Sequence, residues 1–295
     1  MTAQNKKIQS RYLIENLMSF ASSFTLISML ALTMLGCGST FVGNPDDDKD
    51  KKPTNTGNDE TTSTKPSITV ALTDAPVDGA TAVWVGVEKV RVLAEDGTWS
   101  EIKASTTDEI NLMSYQGVNS LDIAKSSELA AGTYKRIELV LSKTIVPRLV
   151  LENGEEHDLR ILGPDYSMIL DKEFELVAGV EMKLTIDIDL RRSIVEQGNG
   201  EYHLKPITRM VENKKSGHVK GIADKGKVAC VYTYGQVLDE KASCETAIAS
   251  LKVTKGTYTL GFLAEGYYNI RIFSANGSYV TVEEVHVVGG QTTEL

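Results

Sequence analysis

Four Asx-Gly pairs, Asp96-Gly97, Asn153-Gly154, Asn199-Gly200 and Asn276-Gly277, each stand between segments rich in valine, isoleucine, threonine and tyrosine. Asn, Asp and Gly tolerate the positive φ that a tight hairpin needs, so each pair marks a reversal between neighbouring antiparallel strands. The first three pairs divide 82–93 from 99–103, 148–151 from 156–162, and 193–195 from 202–209. A further apolar run at 67–73 is broken by Asp74-Ala75-Pro76, and the one helical candidate lies at 120–130. Hairpins at this spacing predict an all-β chain of two antiparallel β-sandwich domains, 67–212 and 217–295.

The segment ahead of these strands reads as an address. Lys6, Lys7 and Arg11 precede an almost uncharged run from 17 to 36, the charged and apolar regions of a secretory signal peptide over residues 1–36. The run ends in Met34-Leu35-Gly36-Cys37-Gly38-Ser39. A small residue directly before cysteine resembles the bacterial lipobox, with Met34 and Leu35 where that pattern has leucine and a smaller residue. The resemblance implies a lipoprotein with lipid on Cys37, acylated by palmitate-type chains. Two or three chains at about 0.8 kcal/mol per buried methylene would hold the protein on a membrane permanently. A plain transmembrane anchor is the alternative. The polar stretch that follows, with Asp46, Asp47, Asp48 and Asp50, suits a translocated tether better. Residues 37–66 have too few apolar side chains to offset the entropy of ordering, which predicts a disordered linker reaching about 30 Å. Gly38 is not the aspartate that retains such proteins in an inner membrane, so the outer membrane is the expected site in a two-membrane cell.

The whole chain carries −9, and its first 36 residues hold Lys6, Lys7 and Arg11 against Glu15, so the rest is more acidic still. Such a balance disfavours nucleic acid and bare anionic membrane as partners. The membrane contact expected is the lipid anchor alone.

Within the first domain, Leu72-Thr73-Asp74-Ala75-Pro76-Val77-Asp78-Gly79-Ala80 followed by Val83-Trp84-Val85 resembles the start of the family called Domain of Unknown Function 4382. Ala131-Gly132-Thr133-Tyr134 resembles its centre. Residues 187–195, from Asp187-Ile188-Asp189-Leu190-Arg191 onward, then Gly198-Asn199-Gly200 and Leu204-Lys205-Pro206-Ile207, resemble its end. The resemblance implies exported prokaryotic proteins, often lipoproteins, with no established activity, and it supplies no catalytic residues.

Asp187 and Asp189 lie two apart in a strand and therefore share a face, while Leu184, Ile186, Ile188 and Leu190 face the core. A solvated face balanced by Lys183, Arg191 or Arg192 is the simpler reading. With Asp74 they are also the candidate metal ligands, with calcium as the ion. Asp187 and Asp189 could alternatively serve a hydrolase. Asp74 alone reads as a turn residue bonded to nearby amides.

The second domain has strand candidates at 217–223, 228–234, 250–254, 256–263, 267–274 and 278–288. Gly256-Thr257-Tyr258-Thr259-Leu260, Gly266-Tyr267 and Gly289-Gly290-Gln291-Thr292 resemble small transthyretin-like modules, including carboxypeptidase regulatory domains. That resemblance implies a seven-stranded sandwich. Ala131-Gly132-Thr133-Tyr134 is echoed by Lys255-Gly256-Thr257-Tyr258. Cys230 and Cys244, an even pair in an exported chain, predict a disulfide whose loop closure stabilises by roughly 3 kcal/mol. Tyr258, Tyr267 and Tyr268 are candidates for stacking on sugar rings.

There is no glycine-rich phosphate loop, HExxH or GxSxG, and His157, His203, His218 and His286 are scattered. The expected role is therefore a non-enzymatic envelope lipoprotein, without a cofactor, that binds a glycan or an envelope protein. A structural or assembly component of the outer membrane is the alternative.

Overall fold

The alternation of buried and exposed residues sets the strands, and their pairing gathers them into five sheets. The structure is a computed structural model and describes residues 64–75, 77–238 and 244–295. The signal peptide, Cys37, the linker up to residue 63 and Pro76 lie outside the described residues. Only short helical turns interrupt the strands, so the all-β expectation holds.

Residues Ile68 to Met210 build one core. Three sheets surround it, rather than the two of a simple sandwich. In the first, Ser67–Ala75 lies between Glu181–Asp189 and Leu121–Ser126, with Thr208–Glu212 on the far edge of Glu181–Asp189. The central pair runs parallel, Val70 opposite Leu184 and Leu72 opposite Ile186, whereas the turn signals announced only antiparallel neighbours. Parallel pairing needs a long crossover. The whole intervening chain from 76 to 180 supplies it, and no local motif announces it.

Two other sequence expectations fail for physical reasons. The helical candidate at 120–130 is a strand, Leu121–Ser126, because Ile123 and Ala124 are buried and the segment pairs antiparallel with Ser67–Ala75. Tertiary pairing overrides a weak local preference. The run at 82–93 is two strands, Ala80–Val85 and Val87–Ala94, in different sheets. Gly86 makes the corner: a Cβ there would lie 2.7 Å from Ile145 Cδ1 and 2.9 Å from Ser142 Cβ.

All four Asx-Gly hairpins form. Gly97, Gly154, Gly200 and Gly277 have φ between 81° and 89°, the region where a side chain would strain the backbone.

A second core gathers Val219, Val231, Tyr258, Leu260, Tyr268, Ile270 and Val287. Among the described residues its strands form a three-stranded sheet (Thr257–Ala264, Ser216–Ile222, Thr292–Glu294) and a four-stranded one (Ala249–Lys252, Val228–Thr233, Gly266–Phe273, Tyr279–Val287). Cys230 and Cys244 form the expected disulfide, with Cα atoms 5.5 Å apart. A small cluster of Tyr232, Ala247 and Phe273 packs around it on the outer face of the four-stranded sheet.

The internal echo has a physical basis, but in another place than the sequence suggested. Tyr134 donates its hydroxyl to the carbonyl of Ala130 at 2.9 Å, and Tyr268 donates to that of Ala264 at 2.7 Å. Each tyrosine follows a positive-φ glycine, Gly132 or Gly266, at a strand start. The recurring unit is Ala-x-Gly-x-Tyr, a tyrosine tied back to the carbonyl four residues before it. Replacing either tyrosine by phenylalanine keeps the buried ring and strands one carbonyl. Each change is expected to cost about 1 kcal/mol in urea unfolding, and no loss in either variant would mean the tie is not holding the corner.

Candidate functional site

Pairing across the first sheet decides what the aspartates do. Thr73 lies opposite Asp187, and Asp187 lies opposite Arg209 on the next strand, so the three share one face. Leu184, Ile186, Ile188 and Leu190 face the core as expected, each at most 1% exposed. The opposite face is not solvated. Thr73, Thr185 and Asp187 are all buried there as well: Thr73 donates its hydroxyl to the carbonyls of Tyr115 and Asn119, Thr185 donates to Asn213 Oδ1, and Asp187 lies close to Ser250, Leu260 and Gly261 of the second core.

Arg209 joins the two cores. Its Nη2 sits 2.5 Å from Asp187 Oδ2, and its guanidinium donates to the backbone carbonyls of Phe262 and Gly261. Phe262 holds a left-handed backbone, φ 53°, and its amide donates to His218 Nδ1 at 3.2 Å. Burial pushes the His218 imidazole below the usual histidine range, keeping it the neutral acceptor this bond requires. Gly261 packs against the backbone of Gly117, and a Cβ at Gly261 would overlap the Gly117 carbonyl oxygen.

Asp189 caps the short helix Leu190–Ser193, accepting from the Arg192 amide at 3.1 Å. Arg192 lies 3.7 Å from Asp189 Oδ2 and donates to the Ala247 carbonyl at 3.2 Å, a second bridge to the other core. The Asp189 carboxyl is raised above its ordinary range, first by burial.

Asp74 is 4% exposed. No donor reaches either of its carboxylate oxygens at full hydrogen-bond geometry. Burial, then the charges of Asp187 and Asp189, hold it well above the usual carboxylate range. The amides of Leu190 and Ala75 offset part of this.

The reading of Asp187 and Asp189 as a solvated pair is therefore corrected: they lie beneath the second core and are held by arginines. The metal reading of Asp74, Asp187 and Asp189 is corrected too. Among the described residues no group of three or more His, Cys, Asp or Glu side chains could hold a metal ion. Asp187 is taken by Arg209 and Asp189 by the helix cap.

The three tyrosines separate. Tyr258 and Tyr268 are 3% and 7% exposed and belong to the second core, so they cannot stack on a ligand. Tyr267 is 54% exposed. It stacks on His286, ring centroids 4.5 Å apart, with Tyr234 at 6.3 Å on the other side.

The mouth of the first core holds a cavity of about 390 Å³ floored by Phe174, Met182, Leu184 and Met210. The lysines at its rim are engaged: Lys172 with the Met210 carbonyl, Lys214 with the Glu181 carbonyl, Lys215 with Glu212.

Sequence reasoning missed Arg209, His218, Gly117 and Gly261. One signal was present, since a glycine inside an apolar strand such as Leu260-Gly261-Phe262 flags close backbone approach.

Fold and site together define an all-β protein of several, mainly antiparallel sheets, with two cores joined through a buried polar seam. Residues 65–206 match the family described as domain of unknown function (DUF4382). No curated protein matches the chain. Among solved structures, the chain is similar to the minor pilin of Streptococcus agalactiae: 11% identity, 77% of this chain and 93% of that one covered, TM-score 0.20. The major pilin subunit of Bacillus cereus gives 11% identity, coverage of 78% and 98%, and TM-score 0.17. The fimbrial anchor protein of Porphyromonas gingivalis gives 10% identity, coverage of 76% and 82%, and TM-score 0.16. Scores of this size establish no common topology.

Proposed function

We propose that this chain is a non-enzymatic cell-envelope lipoprotein, anchored through Cys37, that presents two joined β modules (67–212 and 217–295) as a surface for binding. One observation carries the reading. The two carboxylates that the sequence offers to a hydrolase, Asp187 and Asp189, are bound to Arg209 and Arg192 in the seam. They act as structural groups that tie one module to the other. The positively charged start and the Gly36-Cys37 junction support the same reading.

Metabolic labelling of producing cells with an alkynyl fatty acid tests the anchor. The full-length protein is expected to take up label and sediment with membranes. Cys37→Ser is expected to lose both, and label retained in Cys37→Ser would refute the anchor. Crosslinking in cells addresses the role: a single abundant protein partner favours assembly of the envelope, and its absence favours a soluble ligand.

A further inference from the structure

The outer face of the four-stranded sheet of the second core is covered at one end and open at the other. The covered end holds the disulfide and the cluster around Tyr232 and Phe273. The open end holds Tyr234, Tyr267 and His286, one from each of three neighbouring strand positions. Tyr234 donates its amide to the Tyr267 carbonyl, and Tyr267 lies opposite His286. Tyr234 and Tyr267 are 49% and 54% exposed, the most exposed aromatic side chains among the described residues.

The orientation of Tyr234 is fixed by an unusual reach. Its hydroxyl donates to Glu284 Oε1 at 2.5 Å. Glu284 lies on Tyr279–Val287, and Gly266–Phe273 runs between that strand and the one Tyr234 leaves. Neighbouring strands are about 4.8 Å apart, so the two side chains together bridge the intervening strand. The Tyr234 ring is thereby laid across the sheet with one face to solvent. Tyr267, backed by His286, stands beside it at 55°. Glu284 is held for this task by a bulge: its backbone is left-handed, φ 55°, and its amide donates to Asn269 Oδ1 at 3.2 Å. A non-glycine residue in that conformation persists where its surroundings fix it, and such residues gather at binding sites.

We propose that Tyr234 and Tyr267, with His286 behind and Glu284 at the rim, form a binding site for a neutral polysaccharide. A pyranose ring presents an apolar face that fits the open face of Tyr234, and hydroxyls at its edge that fit Tyr267 Oη, His286 and Glu284. The exposed carboxylates of Glu283 and Glu284 repel an anionic polymer. This inference rests on the reading of the chain as a non-enzymatic surface binder and names its ligand.

Affinity electrophoresis of the full-length protein through gels containing soluble starch, laminarin or galactomannan tests it. At least one polymer is expected to retard the parent. Tyr234→Ala and Tyr267→Ala are expected to weaken that retardation at least tenfold, with unchanged circular dichroism and melting temperature. Tyr234→Phe, which keeps the ring but frees it from Glu284, falls between. Val280→Ala, exposed further along the strand that carries Glu284 and His286, is expected to match the parent. No retardation in any of the three polymers, or equal retardation of Tyr234→Ala and parent, overturns the assignment. If those results accompany a partner found by crosslinking in cells, the site assignment falls and the surface-binding reading stands. Release of reducing ends from a retarding polymer would instead overturn the non-enzymatic reading itself.

Discussion

Arg209→Ala is expected to lower the free energy of unfolding by about 3–5 kcal/mol, the cost of stranding one member of a buried ion pair. The pair is well buried, with side-chain exposure of 23% for Arg209 and 8% for Asp187. Removing the guanidinium leaves the Asp187 charge beneath the second core, and it frees the carbonyls of Phe262 and Gly261. Those carbonyls belong to the strand Thr257–Ala264, in which Phe262 itself is left-handed, so loss of their partner also releases the backbone that His218 holds. Asp187→Asn is expected to cost less, because Arg209 keeps both carbonyl acceptors. The double variant is expected to be no worse than Arg209→Ala, since the stranded charge is then gone and the two effects do not add. The damage falls on the seam, so calorimetry of Arg209→Ala is expected to resolve separate transitions for the two cores where the parent shows one. Urea unfolding that gives a loss under about 1 kcal/mol for Arg209→Ala would show that the seam does not depend on this pair.

What could be read from the sequence divides along the range of the interactions. Asx-Gly pairs fix local geometry, so all four hairpins were legible. The alternation of Leu184, Ile186 and Ile188 with Thr185, Asp187 and Asp189 was legible for the same reason: a strand has period two, and the apolar set had to face a core. The same pattern tells nothing about what covers the other face. Asp187 looked solvated because solvent is the usual neighbour of a charge, and it is buried by Arg209 together with Gly117 and the Ser250 and Gly261 segments of the second core, all distant in sequence. The partner Arg209 is fixed by the register of Thr208–Glu212 against Glu181–Asp189, a long-range fact with no local mark. The tyrosines show the same limit at smaller scale. Tyr267 and Tyr268 are adjacent and so face opposite ways, one into solvent and one into the core. The sequence named both as stacking candidates without knowing which face of Gly266–Phe273 is inward. The disulfide was legible because Cys230 and Cys244 are the two cysteines of the second module and leave one pairing there.

Asp74→Asn is expected to stabilise the protein at neutral pH, by about 2–4 kcal/mol, the scale for relieving an uncompensated buried carboxylate. Burial and the neighbouring charges of Asp187 and Asp189 raise the Asp74 carboxyl well above its unfolded value of 3.8. Below that unfolded value both states hold the proton, and the residue costs nothing extra. As pH rises past it, the unfolded chain releases the proton while the folded chain retains it. Stability then falls by up to about 1.4 kcal/mol per pH unit until the folded group also ionises. An asparagine of the same shape does not titrate. The gap between Asp74→Asn and parent should therefore be small near pH 4 and widen towards pH 8. Urea unfolding of both proteins at pH 4, 6 and 8 measures it. A gap independent of pH, or a variant less stable than the parent at pH 8, would show that the carboxylate is compensated in the folded state. Calcium identifies one such compensation. A rise in melting temperature with millimolar calcium, present in the parent and lost in Asp74→Asn, would make the carboxylate a cation ligand. The unchanged melting temperature expected in both proteins follows from the geometry: Asp187 is already bound to Arg209, Asp189 already caps a helix, and one buried carboxylate does not make a calcium site.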